Sequence, residues 1–359
     1  MINRRLIRIK VFKELFSKVS TGSYDVVPAE KELLAACEKT RELYCLMLLL
    51  PVELSKMAQE KIDTGLQKFH PTAQEMNPSF KFAQNKFSEL IANDEEFLKY
   101  CRHHKISWET KFLTVRSIFN SMCSREYFQE FINGKNNAVS QDIESHDNAL
   151  QDADAKDHSS QNVELNKKAV VSGNEITPAG ANLKESIKLF ERIYKQELED
   201  SEAVEDMLEE QCSLWSDDLG YVLLTILKDL KQIARSGKVS VPEVFMKEDD
   251  EAFAKKLLKA CMVNYDEYTE LAQSFLSKWD VERVVSTDLT LIVMGIAEAV
   301  KFETIPLKVT INEYVEISKY YSTPKSKVFV NGLLDRVLQK LQKEGKISKQ
   351  GRGLVGNLD

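Results

Sequence analysis

The sequence predicts an all-α protein. Three observations carry that expectation: apolar residues recur at three- and four-residue steps through nearly every ordered stretch, no run alternates apolar with polar, and 359 residues include only 13 Gly and 8 Pro. A chain of this length with 43% hydrophobic residues can bury a sizeable core, and length alone suggests more than one unit.

The first element is a helix from about Asn3 to Ser20, within segment 1–22. Leu6, Ile9, Phe12, Leu15, Phe16 and Val19 make its apolar face, Arg4, Arg5, Arg8 and Lys10 crowd its start, and Gly22 is a stop signal. Basic residues at a helix start oppose the helix dipole, so this placement is locally unfavourable. Residues 28–133 read as a second helical block: a helix through Leu33, Leu34, Leu43 and Met47, a break at Pro51, a helix through Leu54, Met57 and Ile62, and shorter helices after Pro78. Its aromatic residues, among them Phe82, Phe87, Phe97, Trp108 and Phe119, require a packing partner.

Residues 134–180 turn to Asn, Gln, Ser, Asp and Lys without an aromatic, a composition that buries too little apolar surface to offset ordering; a disordered insertion is expected. Helical pattern resumes over 183–247, from Leu183 to Leu198 and from Leu219 to Ile233, with Gly237 as a stop. Four further helices, about Asp250–Leu276, Ser286–Phe302, Lys308–Tyr320 and Lys325–Lys343, with short connections, predict a C-terminal bundle over 248–343 and a flexible tail over 344–359.

The formal charge of −7 argues against a protein that coats nucleic acid indiscriminately, so any RNA contact needs a local basic patch. Cys37, Cys45, Cys101, Cys123, Cys212 and Cys261 are scattered without a C-x-x-C pair, which fits reduced thiols in the cytosol. The start lacks the apolar core of a secretory signal, and the longest apolar run, Leu43 to Leu50, is too short for a bilayer.

The most specific sequence lies in the last third. Trp279-Asp280-Val281-Glu282-Arg283 leads into an apolar helix, followed in order by Ile305-Pro306, Ile311-Asn312-Glu313 and Phe329-Val330-Asn331-Gly332. This series resembles the C-terminal half of the NusB antitermination factors, and the basic first helix is similar to the Arg-rich helix with which that family contacts boxA RNA. The resemblance covers roughly 1–20 and 248–340, more loosely 217–240, and leaves Pro28 to about Asp217 as an insertion. It implies NusB-like helical bundles with an additional inserted helical block, a non-enzymatic function without cofactor or metal, and three partners: boxA-like single-stranded RNA, the small-subunit ribosomal protein NusE, and the RNA polymerase antitermination complex on ribosomal RNA operons.

By the same resemblance, Arg4, Arg5, Arg8, Lys325, Lys327 and Phe329 are the expected RNA-binding residues and Asp288 a partner-binding residue. Each has a plainer reading. The arginines fit a solvated helix face, Asp288 fits a first-turn carboxylate favoured by the dipole, and Phe329 fits the core. Asn312-Glu313 reads as a buried polar network joining helices, and Gly332 within a helix implies a close helix crossing. Ser322 or Thr323 is a candidate cap for the last helix, with Pro324 at its first position. Lys325 and Val328 stand where shorter family members carry an acidic residue and a Lys. The acidic balance of the chain and the Lys-to-Val difference at Val328 motivate a rival: a helical protein-interaction scaffold with the NusB fold that has lost RNA binding.

No catalytic constellation is evident: there is no Walker-type loop, G-x-G-x-x-G or G-x-S-x-G. His103-His104 near Cys101 suggests a metal site but lacks a second ligand pair at suitable spacing, so an exposed helical pair is expected. A downstream α/β catalytic domain, as in RNA methyltransferases with a NusB-like module, is not expected after residue 343.

Overall fold

The computed structural model describes residues 1–134, 181–276 and 284–355. The expected insertion, apart from Gly134, and the Trp279–Arg283 landmark lie outside the described residues. The fold is all-α, and among the described residues the β contact is an isolated parallel bridge between Ile2 and Phe245.

Helix α1 (Arg4–Thr21) begins where the Asn3 side chain accepts from the Leu6 N–H and ends at Gly22, whose φ of 66° is the left-handed conformation that only glycine adopts without cost. Helix α2 (Val26–Leu66) runs for 41 residues, about 60 Å at 1.5 Å per residue, without the break expected at Pro51. Proline removes the N–H that would bond the carbonyl four residues earlier. Here the Tyr194 hydroxyl donates to that carbonyl, Met47 O, at 2.9 Å, and Ser88 Oγ donates to Pro51 O at 2.8 Å. Side chains from elsewhere in the chain thus satisfy the interrupted ladder, and the helix continues.

The two halves of α2 belong to different cores. Its Leu43–Leu50 stretch, Leu54 and Ala58 pack with the short helices α3 (Ala73–Met76), α4 (Lys86–Ala92), α5 (Glu95–His103), α6 (Phe112–Ser124), α7 (Glu126–Ile132), α8 (Leu183–Ile193), α9 (Glu202–Gln211) and α10 (Leu219–Ser236), centred on Phe82, Phe87, Phe97 and Phe190. Residues 183–236, expected as a continuation toward the C-terminal bundle, therefore close the core of the inserted block. Trp108 Nε1 donates to Leu46 O at 2.7 Å, and Tyr44 donates to Asp229 on α10 at 3.0 Å.

Ala29, Leu33 and Cys37 of α2 join the second core with α1, α11 (Asp250–Val263), α12 (Tyr265–Gln273), α13 (Ser286–Lys301), α14 (Leu307–Tyr321) and α15 (Ser326–Lys343). Pro306 caps α14 as its position before the helix suggested. The close crossing expected at Gly332 is absent, since a Cβ there would meet nothing within 4 Å. Gly295, within helix α13, is a tight position instead: a Cβ would lie 2.7 Å from Leu334 Cδ2. Part of the expected flexible tail is packed: Ile347 is buried, Gln350 N–H bonds Glu303 O at 3.0 Å, and Lys349 Nζ donates to Phe302 O at 2.9 Å. Burial lowers the Lys349 pKa to about 8.

Candidate nucleic-acid interface

The cations of α1 do not form a free basic face. Arg4 reaches Asp249 at 2.6 Å and Asp250 at 2.9 Å, while Arg5 makes two bonds to Glu313 at 2.9 and 2.8 Å. Arg8 is 4% exposed and makes a bidentate pair with the fully buried Glu298, at 2.7 and 2.9 Å. Lys10 pairs with buried Asp218, Lys13 with Asp217, and Lys18 with Glu32. The arginines also lie over the Phe253 ring, Arg4 at 4.8 Å and Arg8 at 5.3 Å from its centroid.

Arg8, expected as an RNA contact, is instead buried in its ion pair with Glu298. Burial opposes its charge, but the Glu298 carboxylate outweighs that penalty and raises the guanidinium pKa. Glu298 also accepts from Thr310 at 2.9 Å and Tyr314 at 3.1 Å, so the pair is a satisfied hub joining α1, α13 and α14. Half of the Asn312-Glu313 expectation holds. Glu313 enters the network; burial would raise its pKa, but the bond from Arg5 and the charge of Arg8 hold it below the usual carboxylate value. Asn312 is exposed.

The segment before α15 is different. Its polar side chains pin the turn from inside: Ser326 Oγ donates to Asp288 Oδ2 at 2.7 Å and accepts from the Thr323 N–H at 3.2 Å, and Ser322 Oγ lies 2.9 Å from Thr287 Oγ1. The helix starts at Ser326 with Lys325 at the cap position, two residues later than a start at Pro324. Asp288, expected as a partner contact, is 4% exposed and accepts from Ser326 Oγ.

Outside this pinned turn, Lys325, Lys327, Val328 and Tyr320 face solvent, and among the described residues neither lysine has an acidic partner. Phe329 is partly buried against the second core. Tyr321 packs on Phe12 at 5.5 Å, and Lys13 Nζ sits 5.5 Å from its ring, so α1 and this turn share one edge of the molecule. Of the expected RNA residues, the fold thus exposes Lys325 and Lys327, leaves Arg5 half-exposed on Glu313, keeps Arg4 on its two aspartates, and buries Arg8. Arg336, Lys340 and Lys343 line a shallow groove with Phe275, together with Glu344, which pairs with Lys340 at 3.8 Å. The spacing of these cations on α15, every three or four residues, was the available signal.

A helical bundle with a solvent-facing basic and aromatic turn belongs to the class of all-α proteins that can present a helix N-terminus to an anionic ligand. Sequence comparison gives a partial match: residues 231–339 match the NusB family model. Over 104 residues it is 38% identical to the transcription antitermination protein NusB of Salinibacter ruber, covering 29% of this chain and 65% of that relative. The NusB of Thermodesulfovibrio yellowstonii is 38% identical over 89 residues, 25% of this chain and 59% of the relative. That of Chloroherpeton thalassium is 36% identical over 103 residues, 29% of this chain and 49% of the relative. The chain thus spans less than two thirds of the length of these relatives. A solved NusB structure from T. maritima is 27% identical, with a TM-score of 0.27, covering 34% of this chain and 84% of that one. Helix α1 lies outside the matched residues yet packs in the same core with them. No helix among the described residues is long and apolar enough to cross a membrane.

Proposed function

We propose that this protein is a non-enzymatic, cytosolic transcription antitermination factor that binds boxA-like single-stranded RNA together with NusE and supports RNA polymerase on ribosomal RNA operons. The match of residues 231–339 to the NusB family model and the names of its relatives support the general role. The observation that carries RNA binding is the pair of solvent-facing lysines, Lys325 and Lys327, beside exposed Tyr320 at the start of an 18-residue helix. The helix dipole adds to the two ammonium groups in holding a phosphate. Tyr320 and the exposed part of Phe329 offer rings on which an unstacked base can lie. Arg5 extends the same reading, because a surface ion pair such as Arg5–Glu313 is worth only about 0–1 kcal/mol and exchanges readily for a phosphate.

The rival reading is a protein-interaction scaffold that has lost RNA binding. The pairing of α1 cations with carboxylates favours it, as does the apolar Val328 on the exposed turn. Titrating fluorescent boxA RNA at low salt, with and without NusE, separates the two. Antitermination through RNA requires binding that weakens steeply with salt, and removing one phosphate-binding cation lowers the slope by about 1. Absence of binding even to the binary complex at low salt would leave the scaffold.

A further inference from the structure

The His103-His104 pair plays no part in the RNA reading, and the fold supplies the second ligand set that its own segment lacks. Glu38 and Glu42, one helical turn apart on α2, face the end of α5, where His104 sits. One donor atom from each of the three residues lies within 4.8 Å of the others. We propose that Glu38, Glu42 and His104 form a binding site for a divalent transition-metal ion of the zinc type.

The geometry is close to what such an ion needs. Bonds of about 2.0–2.1 Å at tetrahedral angles place donors roughly 3.4 Å apart, and His104 Nδ1 already lies 3.5 Å from Glu42 Oε1. The remaining donor spacings lie within 4.8 Å. Two carboxylates and an imidazole suit zinc, manganese, iron(II) or cobalt(II) better than magnesium or calcium, which take oxygen donors. Side-chain exposures of 25% for Glu38 and His104, against 9% for Glu42, leave one side open to water as a further ligand.

The surroundings orient the donors. The Tyr100 ring stacks on His104 at 4.2 Å, and its hydroxyl donates to Glu38 Oε1 at 2.6 Å, so one phenol aligns a ligand from each helix. The backbone after His104 is held by two capping bonds, Lys105 N–H to Arg102 O and Ile106 N–H to Cys101 O, with Lys105 at φ 55° where glycine is usual. The carboxylates already gather positive charge: Arg41 spans both oxygens of Glu38 at 2.7 Å, and Lys39 meets Glu42 at 2.5 Å. An ion carrying two charges at the same point replaces part of what these long side chains supply.

The test is a Zn2+ titration of the full chain against a chromophoric chelator. One ion per chain is expected, bound at least about tenfold more weakly by His104→Ala and by Glu42→Gln, with His103→Ala unchanged. If either variant fails to fold, Co2+ bound to the unaltered chain reports the ligands directly: a spectrum of nitrogen and oxygen donors supports the site, and an intense thiolate charge-transfer band overturns it. The site is also overturned if the unaltered chain binds no Zn2+, if both folded variants retain full affinity, or if only Cys101→Ser loses it.

Discussion

Helix α1 and the turn before α15 look equally cationic in sequence and end in contrasting states. Every basic residue of α1 meets a carboxylate, and those carboxylates come largely from Asp217, Asp218, Asp249, Asp250, Glu298 and Glu313, more than two hundred positions later in the chain. Lys325 and Lys327 meet no such partner among the described residues and point outward. The difference comes from location. Helix α1 packs against α2, α11 and α13, where an unpaired charge would pay the full desolvation penalty, whereas the turn lies at the rim, where water solvates it. Charge written in a sequence is therefore not charge offered to a ligand.

The strongest way to break this comparison is Glu298→Gln. It leaves Arg8 buried beside a neutral amide, and urea unfolding should show a loss of about 3–5 kcal/mol. A loss no larger than that of Lys325→Ala would mean that Arg8 is solvated after all. Gly295→Ala, on the same helix as Glu298, forces a methyl against Leu334 and should cost about 1–3 kcal/mol. Gly332→Ala, on the outer helix, meets open space and should stabilise by up to about 1 kcal/mol, which an opposite shift in the same unfolding curves checks.

The Arg5–Glu313 clamp sharpens the contrast through pH. Glu313 titrates below its ordinary value of 4.5 in the folded chain, so its stabilisation is present above that value and lost as pH falls through the folded-state pKa. Melting temperatures of the unaltered chain should fall more steeply with acid than those of Arg5→Ala. Last, Lys325→Ala and Lys327→Ala should move stability by no more than about 0.5 kcal/mol while each flattens the salt dependence of RNA affinity.

Local signals were legible where the cause is local. Asn3 and Gly22 bracket α1, Gly237 ends α10 at φ 62°, and the three-to-four-residue apolar rhythm marks most helices. What escaped depends on distant groups. Continuation through Pro51 rests on Tyr194, 147 positions from the carbonyl it satisfies, and the inward turn of α1 rests on acids from the other end of the chain. Gly295 and Gly332 are alike in helical pattern; only the position of Leu334 separates them. His104 appeared without ligands nearby because Glu38 and Glu42 lie on another helix.

Since α2 is common to both cores, neither can lose its order independently. Melting the inserted core would strip the half of α2 from Leu43 to Ala58, and an isolated helix of that length is marginal in water, so fraying would run into the turns carrying Cys37 and Leu33. The uninterrupted rod makes the two units cooperative: calorimetry should record a single transition, and a ligand held at either end of the molecule should raise the melting temperature of the whole.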